Sequence, residues 1–126
     1  MSPRRGAWLI AIGRVAIGSA VLLAPERVMS RWLGAENAAD PAVKDLGRGL
    51  AARDLGLALA TLQTLDDPVI GPRVQAACAA ADVTDAVATL LARRSLPLKG
   101  VLGTVAVAGG AAAAGFWFSH RLAHQG

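Results

Sequence analysis

From Gly100 to Phe118 the chain runs 19 residues without a charge and ends in the aromatic cluster Phe116, Trp117 and Phe118, with His120 and Arg121 just beyond. As a helix rising about 1.5 Å per residue, this stretch spans roughly 28 Å, close to the hydrocarbon thickness of a bilayer. A membrane is therefore the expected solvent. Three further apolar segments precede this one, and they carry charges at membrane depth: Arg14, Arg53, Asp54, Asp82 and Asp85.

At 126 residues the chain has the length of one domain, 1–126, and its mean hydropathy of +0.45 lies above the ordinary soluble range. The net charge of +4 comes from basic residues scattered at segment ends. Without one basic stripe and interleaved aromatics, a nucleic-acid partner is not expected, and anionic lipid beside the helix ends suits these charges better. Eleven Arg against two Lys, in an Ala- and Gly-rich chain, is a composition associated with high-GC bacterial coding. On that association the expected location is a bacterial inner membrane, crossed several times. The single Cys78 excludes an internal disulfide and suits a small buried thiol.

Arg4 and Arg5 ahead of the apolar run Ala7 to Ala24 resemble the start of a signal peptide, but Arg14 interrupts the run and no clear small-x-small cleavage site follows. The expectation is a retained first helix over about Gly6 to Ala24, stopped by Pro25. Pro25 to Gly34 is expected to form a short amphipathic helix, with Val28, Met29, Trp32 and Leu33 on one face. It either lies in the membrane interface or packs as a connector on the bundle. Asp40-Pro41 pairs an N-cap with a helix-starting proline, which sets a second long helix over Pro41 to about Leu65. After the turn signals at Asp66-Asp67-Pro68 and Gly71-Pro72, a third runs from Arg73 to about Arg93. The fourth covers Leu98 to about Leu122. The expected fold is a four-helix transmembrane bundle with a short interfacial helix between its first two members.

Membrane orientation is set by Lys and Arg near the helix ends. Arg27, Arg31, Lys44, Arg93, Arg94 and Lys99 lie on one side, against Arg4, Arg5, Arg73 and Arg121 on the other. Six against four favours both termini outside the cytoplasm, whereas the amino-terminal Arg pair argues the opposite way.

On a helical wheel Gln75, Cys78, Asp82, Asp85 and Thr89 fall within about an 80° arc. Gly49, Ala52, Arg53, Gly56 and Ala60 form a face of small residues around one Arg, and Arg14 shares its face with Ala7, Ala11 and Gly18. These faces are expected to meet, because an unpaired charge at the bilayer centre costs about 2.5 to 3.5 kcal/mol or more. Arg14 and Arg53 would then balance Asp82 and Asp85. Asp54 is left over, to meet Arg48 or another chain. Two readings follow: an ion-pair network that fixes helix register, or a polar site for an ion, proton or small ligand. His120 and His124, one turn apart, lack a third ligand and read as a solvated tail, so no metal site is expected. Gly109-Gly110 reads as close helix packing. No catalytic motif is present, and nothing indicates a cofactor.

Gly13-Arg14 with Gly18, then Pro25, Trp32-Leu33-Gly34, the run GRGLAARDLGLAL from Gly47 to Leu59 and ADVTDA from Ala81 to Ala86 together resemble a bacterial and fungal family of small four-helix membrane proteins with no established activity. Chiefly in the first helix, the chain also resembles the DoxX-like membrane proteins. The resemblance implies a four-helix membrane fold and leaves the function open. The leading expectation is a non-enzymatic accessory or assembly component whose partners are other membrane proteins or a second copy. The alternative is a transporter of a small solute or proton that uses the Asp82/Asp85 stripe. An enzyme using that pair as acid and base, or a soluble Ala-rich bundle, ranks behind both.

Overall fold

The computed structural model describes residues 1–125. These residues are helical and without strands: α1 (Pro3–Leu23), α2 (Pro25–Leu33), α3 (Ala35–Ala39), α4 (Pro41–Thr64), α5 (Ile70–Leu91) and α6 (Leu98–Ala123), with a 3₁₀ turn at Arg93–Ser95. Six helices thus stand where four long and one short were expected. The four long elements are present, and the addition is α3, a single turn between Gly34 and Asp40.

The boundaries follow from local chemistry. Ser2 Oγ accepts from the Arg5 N–H at 3.2 Å, and Pro3 takes the first helical position of α1, where its missing N–H costs nothing. Gly34, at φ +88°, makes the reversal after α2 in a region that disfavours side chains. Asp40 Oδ1 accepts from the Ala42 N–H at 2.8 Å to start α4. Asp67 Oδ1 accepts from the Val69 and Ile70 N–H groups, both at 2.8 Å, at the start of α5. That helix begins at Ile70 and not at Arg73, because Pro72 falls within its first turn, where proline is tolerated.

The long helices form a ring in the order α1, α4, α5, α6, made of two intimate pairs, α1 with α4 and α5 with α6. Small side chains set the close approaches: Ala7, Ala11, Ala51, Ala58, Ala79 and Ala112 are all buried. Gly115 lies so near Ala79 that an added Cβ would stand 3.0 Å from the Ala79 Cβ. The expected packing at Gly109-Gly110 does not occur, since a Cβ at either would meet nothing within 4 Å. The small face expected on α4 is also displaced. Gly49 and Gly56 face open space, and the packed stripe runs instead through Gly47, Ala51, Ala58 and Thr61.

α2 packs on one end of the ring as a connector. Met29 covers Gly47, Lys44 Nζ pairs with Glu26 at 2.8 Å, and the Trp32 indole N–H donates to Thr89 Oγ1 at 3.2 Å. At the opposite end Arg4 pairs with Asp66.

Among the described residues three helices, α1, α5 and α6, are long and apolar enough to cross a membrane. The chain is thus an all-α protein with the features of a small membrane protein. α4 is as long as the others, but Lys44, Asp45, Arg48, Arg53 and Asp54 lower its hydropathy.

Candidate functional site

Near mid-length α1 presents Arg14 on the same stripe as Ala7, Ala11 and Gly18, all buried, so the guanidinium points into the ring and away from any surrounding solvent. α5 meets it with Asp82 at Nη2···Oδ2 2.6 Å, and the Cys78 carbonyl accepts from the same nitrogen at 3.0 Å. Arg14 and Asp82 are each only 7% exposed. Farther along α5, Asp85 takes both terminal nitrogens of Arg53, Nη1···Oδ1 at 3.0 Å and Nη2···Oδ2 at 2.7 Å. This is the bidentate fork that matches guanidinium to carboxylate.

Asp54 joins the two pairs. Its Oδ1 accepts from Arg14 Nη1 at 3.3 Å and from Arg53 Nη2 at 3.2 Å. The five side chains therefore form one continuous chain, Asp82, Arg14, Asp54, Arg53, Asp85, across α1, α4 and α5. The expectation that Asp54 is left over for Arg48 or another chain is corrected. On α4, Asp54 follows Ala51 by three and precedes Ala58 by four, so it belongs to the packed stripe. Arg53 lies beside that stripe, with its side chain 32% exposed, and reaches its partners through a long aliphatic stem.

Three carboxylates face two guanidiniums, which leaves one negative charge in excess when all five are ionised. Arg14 Nε and Arg53 Nε are buried without a partner. Thr89 Oγ1 donates to the Asp85 carbonyl at 2.8 Å while accepting from Trp32, so α2 is tied to the turn of α5 that carries Asp85. The side chains of Gln75 and Cys78, expected on the same stripe, are buried but stand apart from the ion pairs. Cys78 Sγ lies 3.5 Å from Thr61 Oγ1.

A cleft of about 550 Å³ lies between the two helix pairs. Its floor holds Arg14, Arg53, Asp54, Asp82 and Asp85, its walls include Ile10, Ile17, Met29 and Val107, and its end beneath α2 carries Arg31 and Lys99. At the far end of the ring Phe118 fills the space over Gly6, so α1 and α6 touch there. Toward α2 they part, and Ile17 and Val107 stand 52% and 64% exposed on either side of the opening. No family profile, curated protein or solved structure matches this chain.

The arrangement can hold a molecule with an apolar body against a fixed array of hydrogen-bonding and charged groups. A wall that is mostly aliphatic with a few convergent polar groups is the usual character of a small-molecule site. Among the described residues no group of three or more His, Cys, Asp or Glu side chains converges as a metal site. His120 and His124 stack with centroids 4.2 Å apart at the exposed end of α6. Sequence reasoning missed the places of Trp32, Arg31 and Lys99 on the cleft. The signal for Trp32 was its place on the apolar face of the connector. Charge placement put Lys99 and Arg31 on one side of the membrane, but their proximity comes from the backbone contact of Gly100 with Trp32, which the pattern does not signal.

Proposed function

We infer that this chain is a multi-pass protein of the bacterial inner membrane that binds a small molecule in the cleft between its helix pairs, as a non-enzymatic carrier or binding component. The four-helix transmembrane bundle, with α4 crossing beside α1, is part of this reading, as is the fold implied by the family resemblance. The observation that carries it is the placement of the ion-pair chain. A network that served only to fix helix register would be enclosed by packed side chains, whereas this one forms the floor of a cleft and keeps a third carboxylate beyond what its two guanidiniums need. Buried charge in excess is costly in a membrane, and function is the usual reason for its retention.

Site-directed labelling tests it. In a Cys78→Ala background, Thr104→Cys on the cleft wall should react with a small maleimide in detergent, while Ala112→Cys, buried between helices, should stay unlabelled. Protection of both positions alike would sink the reading.

A second reading, an assembly component bound to another membrane protein or to a second copy, is favoured by the outer face of α4. There Gly49 and Gly56 are uncovered and flanked by the exposed Leu46 and Leu59. Small residues on such a face allow a neighbouring helix to approach closely. Cross-linking from Gly56→Cys into a dimer or a defined complex would support it, and an uncross-linked monomer would count against it.

A further inference from the structure

The cleft is not uniform along its length, and its gradient matches one kind of molecule. Lys99 is the second residue of α6 and Arg31 lies in the last turn of α2, and the two segments touch: a Cβ at Gly100 would come within 3.1 Å of the Arg31 carbonyl oxygen. Both cations are exposed, and among the described residues neither pairs with a carboxylate. In a spanning bundle they stand at headgroup depth. Below them the walls are aliphatic, and the gap between α1 and α6 at Ile17 and Val107 faces the surrounding lipid. A positive rim at the interface, an apolar trough beneath it and a lateral opening fit an anionic lipid.

We propose that the cleft seats the anionic headgroup of a membrane lipid between Arg31 and Lys99, with an acyl chain in the trough between α1 and α6. The proposal rests on the reading of the cleft as a binding site and names the class of its occupant. The ligand reaches the site from the bilayer, and the ion-pair chain closes the inner end of the trough. Lys and Arg near an anionic surface each contribute on the order of 1 kcal/mol. Two of them correspond to a preference of about tenfold or more for anionic over zwitterionic lipid.

Trp32 lines the same cleft and can report on it. The test uses a Trp8→Phe, Trp117→Phe background in nanodiscs of phosphatidylcholine doped with brominated-acyl phosphatidylglycerol or brominated-acyl phosphatidylcholine. The anionic lipid should quench Trp32 at about a tenfold lower mole fraction. Arg31→Ala with Lys99→Ala should erase that preference, Arg93→Ala with Arg94→Ala should leave it, and Gly103→Leu, which adds bulk where nothing lies within 4 Å, should relieve quenching by both lipids. Equal loss of preference in the Arg93/Arg94 control would reduce it to surface charge and overturn the proposal. Displacement by millimolar glycerol phosphate would do the same, by assigning the rim to free phosphate. If both lipids quench equally and Gly103→Leu relieves both, the cleft still binds lipid and the anionic class falls. If Gly103→Leu changes nothing, the cleft reading falls with it.

Discussion

Asp54 carries the charge that two guanidiniums do not balance, and its neighbours show why its loss should differ from that of Asp82. Asp82 is buried against a buried Arg14 at 2.6 Å, so Asp82→Asn strips a guanidinium of its closest partner. The cost should be about 3 to 5 kcal/mol, read as a lower melting temperature in detergent. Asp54→Asn leaves the Arg14–Asp82 and Arg53–Asp85 pairs intact and removes the uncompensated charge. That variant should melt at or above the wild-type temperature, and a loss as large as that of Asp82→Asn would mean the five groups act as one structural unit. Outside the bundle, the Ile70 and Val69 N–H groups donated to Asp67 hold its carboxyl below the usual aspartate range. A lowered folded value gives stability that is complete above the ordinary value of about 4 and is lost as pH falls through the folded one. The melting advantage of wild type over Asp67→Ala should therefore be constant from neutral pH to about 5 and shrink below about 4. Most of this site was legible from residue type and spacing, since Arg14 and the Asp82/Asp85 stripe cannot face lipid. Asp54 was misread because the glycines around Arg53 suggested the wrong packed face. The stripe Gly47, Ala51, Asp54, Ala58 and Thr61 has equally good helical spacing, and periodicity alone cannot rank two faces of small residues.

Among the elements, the connector α2 shows best how backbone proximity sets the geometry of the cleft. Its Trp32 carbonyl lies where a Cβ on Gly100 would fall, so Gly100→Ala must push α2 from α6. Thermal melting should show a loss of about 1 to 3 kcal/mol for this added methyl. Gly110→Ala adds the same methyl to open space and should stay within about 1 kcal/mol of wild type. The two glycines are indistinguishable by sequence, as both sit in an apolar helix. What separates them is the break at Ala24-Pro25, beyond which the connector leaves α1 and lays its last turn against the start of α6. Helix starts were legible where Asp40 or Pro25 supplied a cap or a first-turn proline, whereas Ser2 and Pro3 start α1 ahead of the expected Gly6. The beginning of α5 was not, because Gly71-Pro72 signals a turn as well as it fits a helix start.

Over the whole molecule, α1, α5 and α6 have the length and hydropathy to cross a bilayer, whereas α4 carries too many charges to do so alone. Its Arg53 and Asp54 pair with each other and also with its neighbours, Asp54 with Arg14 of α1 and Arg53 with Asp85 of α5. In the reading proposed above α4 crosses with these two neighbours, since its departure would leave Asp85 without a guanidinium and Arg14 with Asp82 alone. Four crossings place both ends of the chain on one side of the membrane, and three place them on opposite sides. The most direct measurement is the accessibility of cysteines at Ser2 and Gln125, in a Cys78→Ala background, to an impermeant maleimide in intact spheroplasts and in inverted vesicles. Labelling of both positions in the same preparation, and of neither in the other, is the predicted result. Labelling of one position in each preparation, or release of the protein by alkaline carbonate, would contradict the four-helix membrane bundle on which the cleft and its ion-pair floor depend.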